Sequence, residues 1–192
     1  MPDWFFKSID HYNVLMLQEN FYKKLLDFEF VLICQSDAFV IGGIDQLLHY
    51  DYFGASWKND YRLIETLGQL FVNRPNWLLG KSTSVSAGNG GLSLRNTSRM
   101  LELIEFGKTR PFWHQFERVE KRKLNEDVVL AFLGTQRGLR IPTRIEADRF
   151  FAETNKFEPE ALGELIGFHA LEKYQPGVEE RVFSVLGIGT PE

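Results

Sequence analysis

The chain has 192 residues, 44% apolar and 25% charged, with a net charge of −4. These totals are those of an ordinary globular protein with room for a substantial core. The acidic balance argues against a binder of DNA or RNA polymers, which would carry a basic face, but permits a small anionic ligand in a local pocket.

Seventeen Phe and four Trp predict an aromatic-rich core or an aromatic-lined cleft. The single cysteine, Cys34, excludes an internal disulfide and is expected to be a small buried apolar residue. No leader-like segment or membrane-length apolar run is legible, so the expected location is the cytoplasm. No composition shift marks a boundary, and one domain over 1–192 is expected.

Trp4, Phe5 and Phe6 are too apolar for a free tail and are expected to dock. Val14, Leu17, Phe21 and Leu25 recur at three- and four-residue steps, which predicts a helix from Tyr12 to Leu26. The run Phe28 to Val40 reads as a buried strand interrupted by Gln35, Ser36 and Asp37. Asp37 thus stands at the carboxyl end of a core strand, where open α/β sheets bind ligands. A turn or cap role accounts for it equally well.

Ile44 to His49 suits a short helix, and Tyr52 to Trp57 a strand. Trp57, at the end of that strand, is expected in the core. Leu63, Leu67, Leu70 and Phe71 predict an amphipathic helix over Tyr61 to Phe71. Asn73 to Ser86 contains Pro75, Gly80 and a Ser/Thr cluster and reads as a loop.

Gly88-Asn89-Gly90-Gly91 permits unusual backbone and close approach to a ligand. A tight turn or bulge explains the glycines as well, and their spacing matches neither a dinucleotide fingerprint nor a P-loop. Leu92-Ser93-Leu94 alternates like a strand. Asn96 is a good cap for a helix through Phe106 closed by Gly107.

Thr109 to Arg122 is an aromatic and basic segment. Asn125-Glu126-Asp127 reads as a helix start, with Asn125 as the cap and the two acids complementing the positive end of the dipole. Paired acids at a cleft edge also serve as a general base. Gly138 to Thr143 predicts a short strand ended by Pro142. Arg144 to Phe157 mixes acids with Phe150, Phe151 and Phe157. His169 follows a short apolar run; a lone histidine is more often structural than a ligand.

Four motifs stand in a recognisable order: Gln35-Ser36-Asp37-Ala38, Gly88-Asn89-Gly90-Gly91 with Leu92-Ser93-Leu94-Arg95, Asn125-Glu126-Asp127, and Gly167-Phe168-His169-Ala170. Together, over about Tyr12 to Tyr174, they resemble a mostly uncharacterised family of glycosyltransferase-like proteins related to the GT-A type of nucleotide-diphospho-sugar transferases. The resemblance implies an α/β fold, a GT-A-like mixed sheet flanked by helices.

In GT-A enzymes an Asp-x-Asp motif at a strand end holds a divalent metal against the donor diphosphate. Gln35-Ser36-Asp37 fills that slot here, which implies Asp37 as the metal-side residue and Gln35 as a partner of ribose or a metal-bound water. A late histidine is the second protein ligand in some GT-A families, and His169 resembles it. The implied cofactor is Mn²⁺ or Mg²⁺.

The resemblance places Gly88, Asn89, Gly90 and Gly91 under the donor sugar, and makes Trp57, otherwise a core residue, the alternative platform for stacking on a sugar face. It makes Asp127 the base of an inverting transfer, with Glu126 as runner-up. The implied partners are a nucleotide-sugar donor and a glycan, lipid-linked or protein acceptor. A GT-A fold opens with a βαβ half that binds the nucleobase and ribose. Only one helix precedes the Asp37 strand here, so an N-terminally truncated version is expected, with an exposed sheet edge that favours self-association. The alternative function is a non-catalytic transferase-like module that binds a sugar, nucleotide or partner protein.

Overall fold

The structure is a computed structural model that describes residues 2–73, 82–117, 119, 124–154, 158 and 163–187. Its strands are β1 (Phe30–Cys34), β2 (Ala38–Val40), β3 (Tyr52–Gly54), β4 (Ser56–Thr66), β5 (Gln69–Val72), β6 (Thr83–Ala87), β7 (Leu92–Asn96), β8 (Phe151–Ala152) and β9 (Gly167–His169). Its helices are α1 (Ile9–Met16), α2 (Glu19–Lys23), α3 (Thr97–Lys108), α4 (Glu126–Gln136), α5 (Arg144–Phe150), α6 (Leu171–Tyr174) and α7 (Val178–Leu186). The result is a mixed α/β fold. The strands form three sheets of three, ordered β1-β7-β3, β2-β9-β8 and β5-β4-β6. All their pairings are antiparallel except β8 with β9.

Ser8 starts α1 by accepting the His11 N–H with its side chain. The expected Tyr12 to Leu26 helix is two helices, because the chain turns at Leu17 and Gln18. Val14, Leu15, Met16 and Leu17 are all buried. Four consecutive buried residues cannot share one helix face, and the turn lets all four reach apolar neighbours. Ahead of α1, a 3₁₀ turn over Asp3–Phe6 docks through Phe5, while Phe6 stays exposed.

β1 is half-buried rather than a buried core strand, because it is the edge of its sheet. Cys34 at its end is exposed, which corrects the expected buried thiol. Ile44 to His49 contains a 3₁₀ turn over Asp45–Leu47.

The helix expected over Tyr61 to Phe71 is instead the β4–β5 hairpin. Leu67 and Gly68 both have positive φ, 50° and 70°. They form the two-residue turn whose twist suits a hairpin. The spacing of Leu63, Leu67, Leu70 and Phe71 imitates a helix, but Leu67 is the exposed turn residue. β6 takes up the end of the stretch read as a loop, runs one residue beyond it and pairs with β4; residues 74–81 of that stretch lie outside the described residues. The segment Gly138 to Thr143 is not a strand. It leads into α5, where Thr143 and Glu146 form a reciprocal capping box.

Asn96 caps α3 as expected, accepting the Arg99 N–H at 3.1 Å. The helix runs through Gly107 to Lys108, so that glycine does not close it. Its missing side chain makes room for the Trp113 ring. α4 lies at the centre, buried from Glu126 through Gly134. Val128 to Leu133 join the main core with Met100, Leu103, Ile104 and Phe112. Each such fully buried large side chain stabilises the fold by about 1.5–3 kcal/mol. Trp57 is buried in this core, as the sequence favoured.

Candidate active site

Strand register brings the separated motifs together. β1 pairs Cys34 with Leu92, so Gln35 follows opposite Gly91 and its N–H donates to the Gly91 carbonyl at 2.9 Å. β2 pairs Ala38 with His169, so Asp37 lies beside Ala170, whose N–H donates to the Asp37 carbonyl at 3.1 Å. The Gly90 N–H donates to Asp127 Oδ2 at 3.1 Å, tying the glycine segment to the start of α4. Gln35, Trp57, Asn89, Gly90, Gly91, Glu126, Asp127 and His169 thereby line one cleft of about 300 Å³.

Asp37 reaches this group from the rim: its side chain is 58% exposed and Oδ1 lies 3.2 Å from His169 Nε2. Ser36, at the tip of the β1–β2 turn, is exposed and away from the cleft lining. Gly88 stands behind the wall, where its φ of 121° needs a glycine and its carbonyl accepts the Tyr52 hydroxyl. Trp57 contributes to both core and cleft.

The two acids of α4 have different surroundings. Glu126 pairs with the fully buried Arg95 at 3.2 Å. Arg95 also donates to Tyr22 Oη at 2.8 Å and to Ser93 Oγ at 3.0 Å. Its guanidinium lies 5.3 Å from the centre of the Tyr52 ring. Asp127 pairs with no arginine among the described residues and accepts N–H bonds from Gly90 and, at 2.7 Å, from Val128. Burial and the adjacent Glu126 push its carboxyl up to about 7, against the lowering effect of those N–H groups and Arg95. Asn125 precedes the helix, but its side chain does not cap it; its Oδ1 instead accepts from Asn13 Nδ2 at 3.2 Å.

His169 is surrounded by oxygen. Nε2 lies 3.2 Å from both Asp37 Oδ1 and Gln35 Oε1, and Nδ1 lies 3.3 Å from Glu153 Oε2. Burial lowers the imidazole, but the Glu153 and Asp37 carboxylates outweigh it and the net direction is upward. An acceptor set on both ring nitrogens suits an imidazolium. It equally suits a cation shared by Nε2, Asp37 and Gln35 while Glu153 orients the ring from behind. The donor set therefore fits a divalent ion whose remaining ligands come from a bound anion. Among the described residues no group of three or more His, Cys, Asp or Glu forms a self-contained cage.

Sequence reasoning assigned no role to Arg95, Glu153, Tyr12 or Tyr61. Glu153 follows the β8–β9 register, in which Phe151 pairs with Gly167 and Ala152 with Phe168, so it falls opposite His169. A two-residue parallel strand leaves no readable pattern. Arg95 carried a legible sign, a cation alternating with Leu94 in a strand. Tyr12 and Tyr61 line the cleft, and burial pushes the Tyr12 phenol up to about 12, which keeps it a neutral donor.

The fold and cleft define a mixed α/β protein with an acid- and histidine-lined site. Residues 1–169 match a family described as a protein of unknown function (DUF5672), and the chain belongs to that family. No curated protein and no solved structure matches it. Among the described residues no helix is long and apolar enough to cross a membrane.

Proposed function

We propose that the protein is a metal-assisted glycosyltransferase of GT-A type that moves a sugar from a nucleotide-diphosphate donor to an acceptor hydroxyl with inversion. The observation that carries this reading is the convergence of Gln35, Gly91, Asp127 and His169, far apart in the chain, on one cleft. In this scheme Asp37 and His169, with Gln35, hold Mn²⁺ or Mg²⁺. When bound, that ion neutralises charge on the departing diphosphate.

The chain's own groups do the rest. Asp127 takes the acceptor hydroxyl proton as that oxygen bonds to the anomeric carbon and the bond to the diphosphate oxygen breaks. A carboxyl near 7 is matched to this task. Glu126 is committed to Arg95 and holds the wall rather than the proton. The Gly90 N–H fixes the Asp127 carboxylate, and the Asn89 side chain, anchored by the Gly91 N–H at 3.2 Å, offers its amide hydrogens to sugar hydroxyls. We place this reaction in the cytoplasm, where nucleotide-sugar donors are available.

A second reading, a non-catalytic sugar- or nucleotide-binding module, is favoured by the neutral Gln35 in a slot where a carboxylate would strengthen metal binding. Calorimetry against a panel of nucleoside diphosphates and their sugars, with and without Mn²⁺, followed by a turnover assay on the tightest donor, separates the two. Metal-dependent binding of a sugar nucleotide with turnover supports the transferase. Binding without turnover against any acceptor supports the module, and no binding overturns both donor readings.

A further inference from the structure

A second cavity of about 240 Å³ opens from the candidate active site. Trp57, Tyr61, Asn89 and Tyr174 line both, so the two spaces share a wall. Resting on the transferase reading, we infer that this second cavity is the acceptor subsite and that the acceptor is a neutral carbohydrate, one hexopyranose unit of which it holds.

The lining has the chemistry of a sugar site. Tyr61 meets Trp57 edge to face at 5.3 Å and 88°, so the two rings form a rigid corner, while Tyr174 is 43% exposed across the space. Aromatic rings offer a face for the C–H side of a pyranose and, in tyrosine, a polar tip. Asn59, Asn73 and Asn89 add side chains that both donate and accept, which suits ring hydroxyls.

The frame beneath is fixed. Arg144 donates to the Trp57 carbonyl and to Asp60 Oδ1, each at 2.6 Å, and Thr154 Oγ1 donates to the Ser56 carbonyl at 3.2 Å. The Asn73 carboxamide oxygen accepts the Arg62 N–H at 3.1 Å. These bonds hold β4 through its irregular stretch between Ser56 and Tyr61, where the sheet pairing shifts and the cavity forms.

The rim decides between acceptor classes. Lys58, Asn59 and Asp60 are exposed, polar and of mixed sign. A lipid-linked acceptor needs an apolar approach, and an anionic sugar needs a surplus of cations. Among the described residues the rim shows neither an apolar approach nor a cluster of cations, whereas a neutral glycan requires neither. A protein acceptor would need an extended groove, not a small cavity beside the cleft that holds the proposed base, Asp127.

The test uses the whole chain labelled with ¹⁵N and follows the indole N–H of Trp57, assigned with Trp57→Phe, during titration with methyl glycosides and disaccharides of neutral hexoses. The expected result is a saturable shift of the Trp57 signal. That response should weaken at least about tenfold in affinity in Tyr174→Ala and in Asn59→Ala, two changes at exposed positions whose native fold is checked first by circular dichroism. A response that survives both variants, or no response in a protein that binds a sugar nucleotide by calorimetry, overturns the acceptor assignment and leaves the donor reading standing. Saccharide binding that shifts Trp57 in a protein that binds no nucleotide overturns the donor reading and keeps the sugar subsite. Displacement of the saccharide by a serine- or threonine-bearing peptide or a short polyprenyl phosphate, with tighter binding of that competitor, overturns the assignment to a glycan.

Discussion

Glu126 and Asp127 are neighbours in the chain, yet only Glu126 has the buried guanidinium of Arg95 as its direct partner, 3.2 Å away. Asp127 is held by two backbone N–H groups and lines the cleft. On the proposed transferase reading, this difference favours Asp127 over Glu126 as the base. Asp127→Asn is expected to lower turnover about 100- to 10,000-fold while donor binding by calorimetry stays near that of the native chain. Near-native turnover in this variant removes Asp127 from the chemistry.

The Arg95–Glu126 pair is expected to act on stability. Both side chains are essentially buried, and Arg95 also ties Tyr22 and Ser93 to the same point. Removing one partner leaves a charge in the core without its counterion, at a cost of about 3–5 kcal/mol. Glu126→Ala, or Arg95→Leu, should therefore lower the unfolding free energy from urea titration by that amount, through a lower midpoint at unchanged slope. A variant that unfolds like the native chain but loses turnover would move Glu126 from the frame to the reaction.

The Asp127 carboxyl, raised to about 7, sets a pH dependence whose sign can be worked out. The base acts when deprotonated, so turnover at saturating donor should rise with pH along a limb centred near 7. Stability runs the other way. The folded pKa lies above the unfolded one, so the folded state binds the extra proton. This contribution is complete below the unfolded carboxylate value and is lost as pH rises through about 7. Titration of the ¹³C-labelled aspartate carboxyls should find one resonance with a midpoint near 7, absent in Asp127→Asn; a midpoint near 4, the ordinary aspartate range, contradicts the assignment.

What the sequence made legible was local chemistry. Asn96 announced its cap, and the Gln35–Asp37 interruption announced a strand end facing the cleft. Glu126 and Asp127 announced the first turn of a helix. What it hid was decided by partners distant in the chain. Leu67 and Gly68 form a turn only because β4 and β5 pair, and the apolar spacing around them imitates a helix. Cys34 looked buried because the apolar run before it did not reveal that β1 is a sheet edge. Glu153 reaches His169 through a two-residue strand with no periodicity to read.

Glu153 and Asp37 approach His169 from opposite ring nitrogens, so their variants should fail differently. Asp37→Ala removes an oxygen from the Nε2 side and is expected to abolish Mn²⁺-dependent nucleotide binding. Glu153→Gln leaves that side intact but weakens the hold on the ring. A partner of this kind typically contributes 10- to 100-fold, so about that loss in Mn²⁺ affinity is expected, with nucleotide binding recovered at high metal. Calorimetry with Mn²⁺ and Mg²⁺ in turn checks both; nucleotide binding by Asp37→Ala equal to that of the native chain would rule out a metal at this position.

Gly91 gives the sharpest structural test, because the cleft closes over it. A Cβ at this position would overlap the His169 ring itself, and the Gln35 N–H is bonded to the Gly91 carbonyl, so the backbone has little room to retreat. Gly91→Ala should therefore push the imidazole away from Asp37 and Gln35. Overpacking of this kind costs about 1–3 kcal/mol, which a chain of this size can absorb and stay folded. The expected outcome is a modest fall in the urea midpoint together with loss of Mn²⁺-dependent nucleotide binding and a displaced His169 ring resonance. Gly138→Ala supplies the control: its φ is 68° and nothing lies within 4 Å of its added Cβ, so it carries backbone strain far from the cleft. If both variants lose stability alike and both keep nucleotide binding, the contact between Gly91 and His169 does not shape the site.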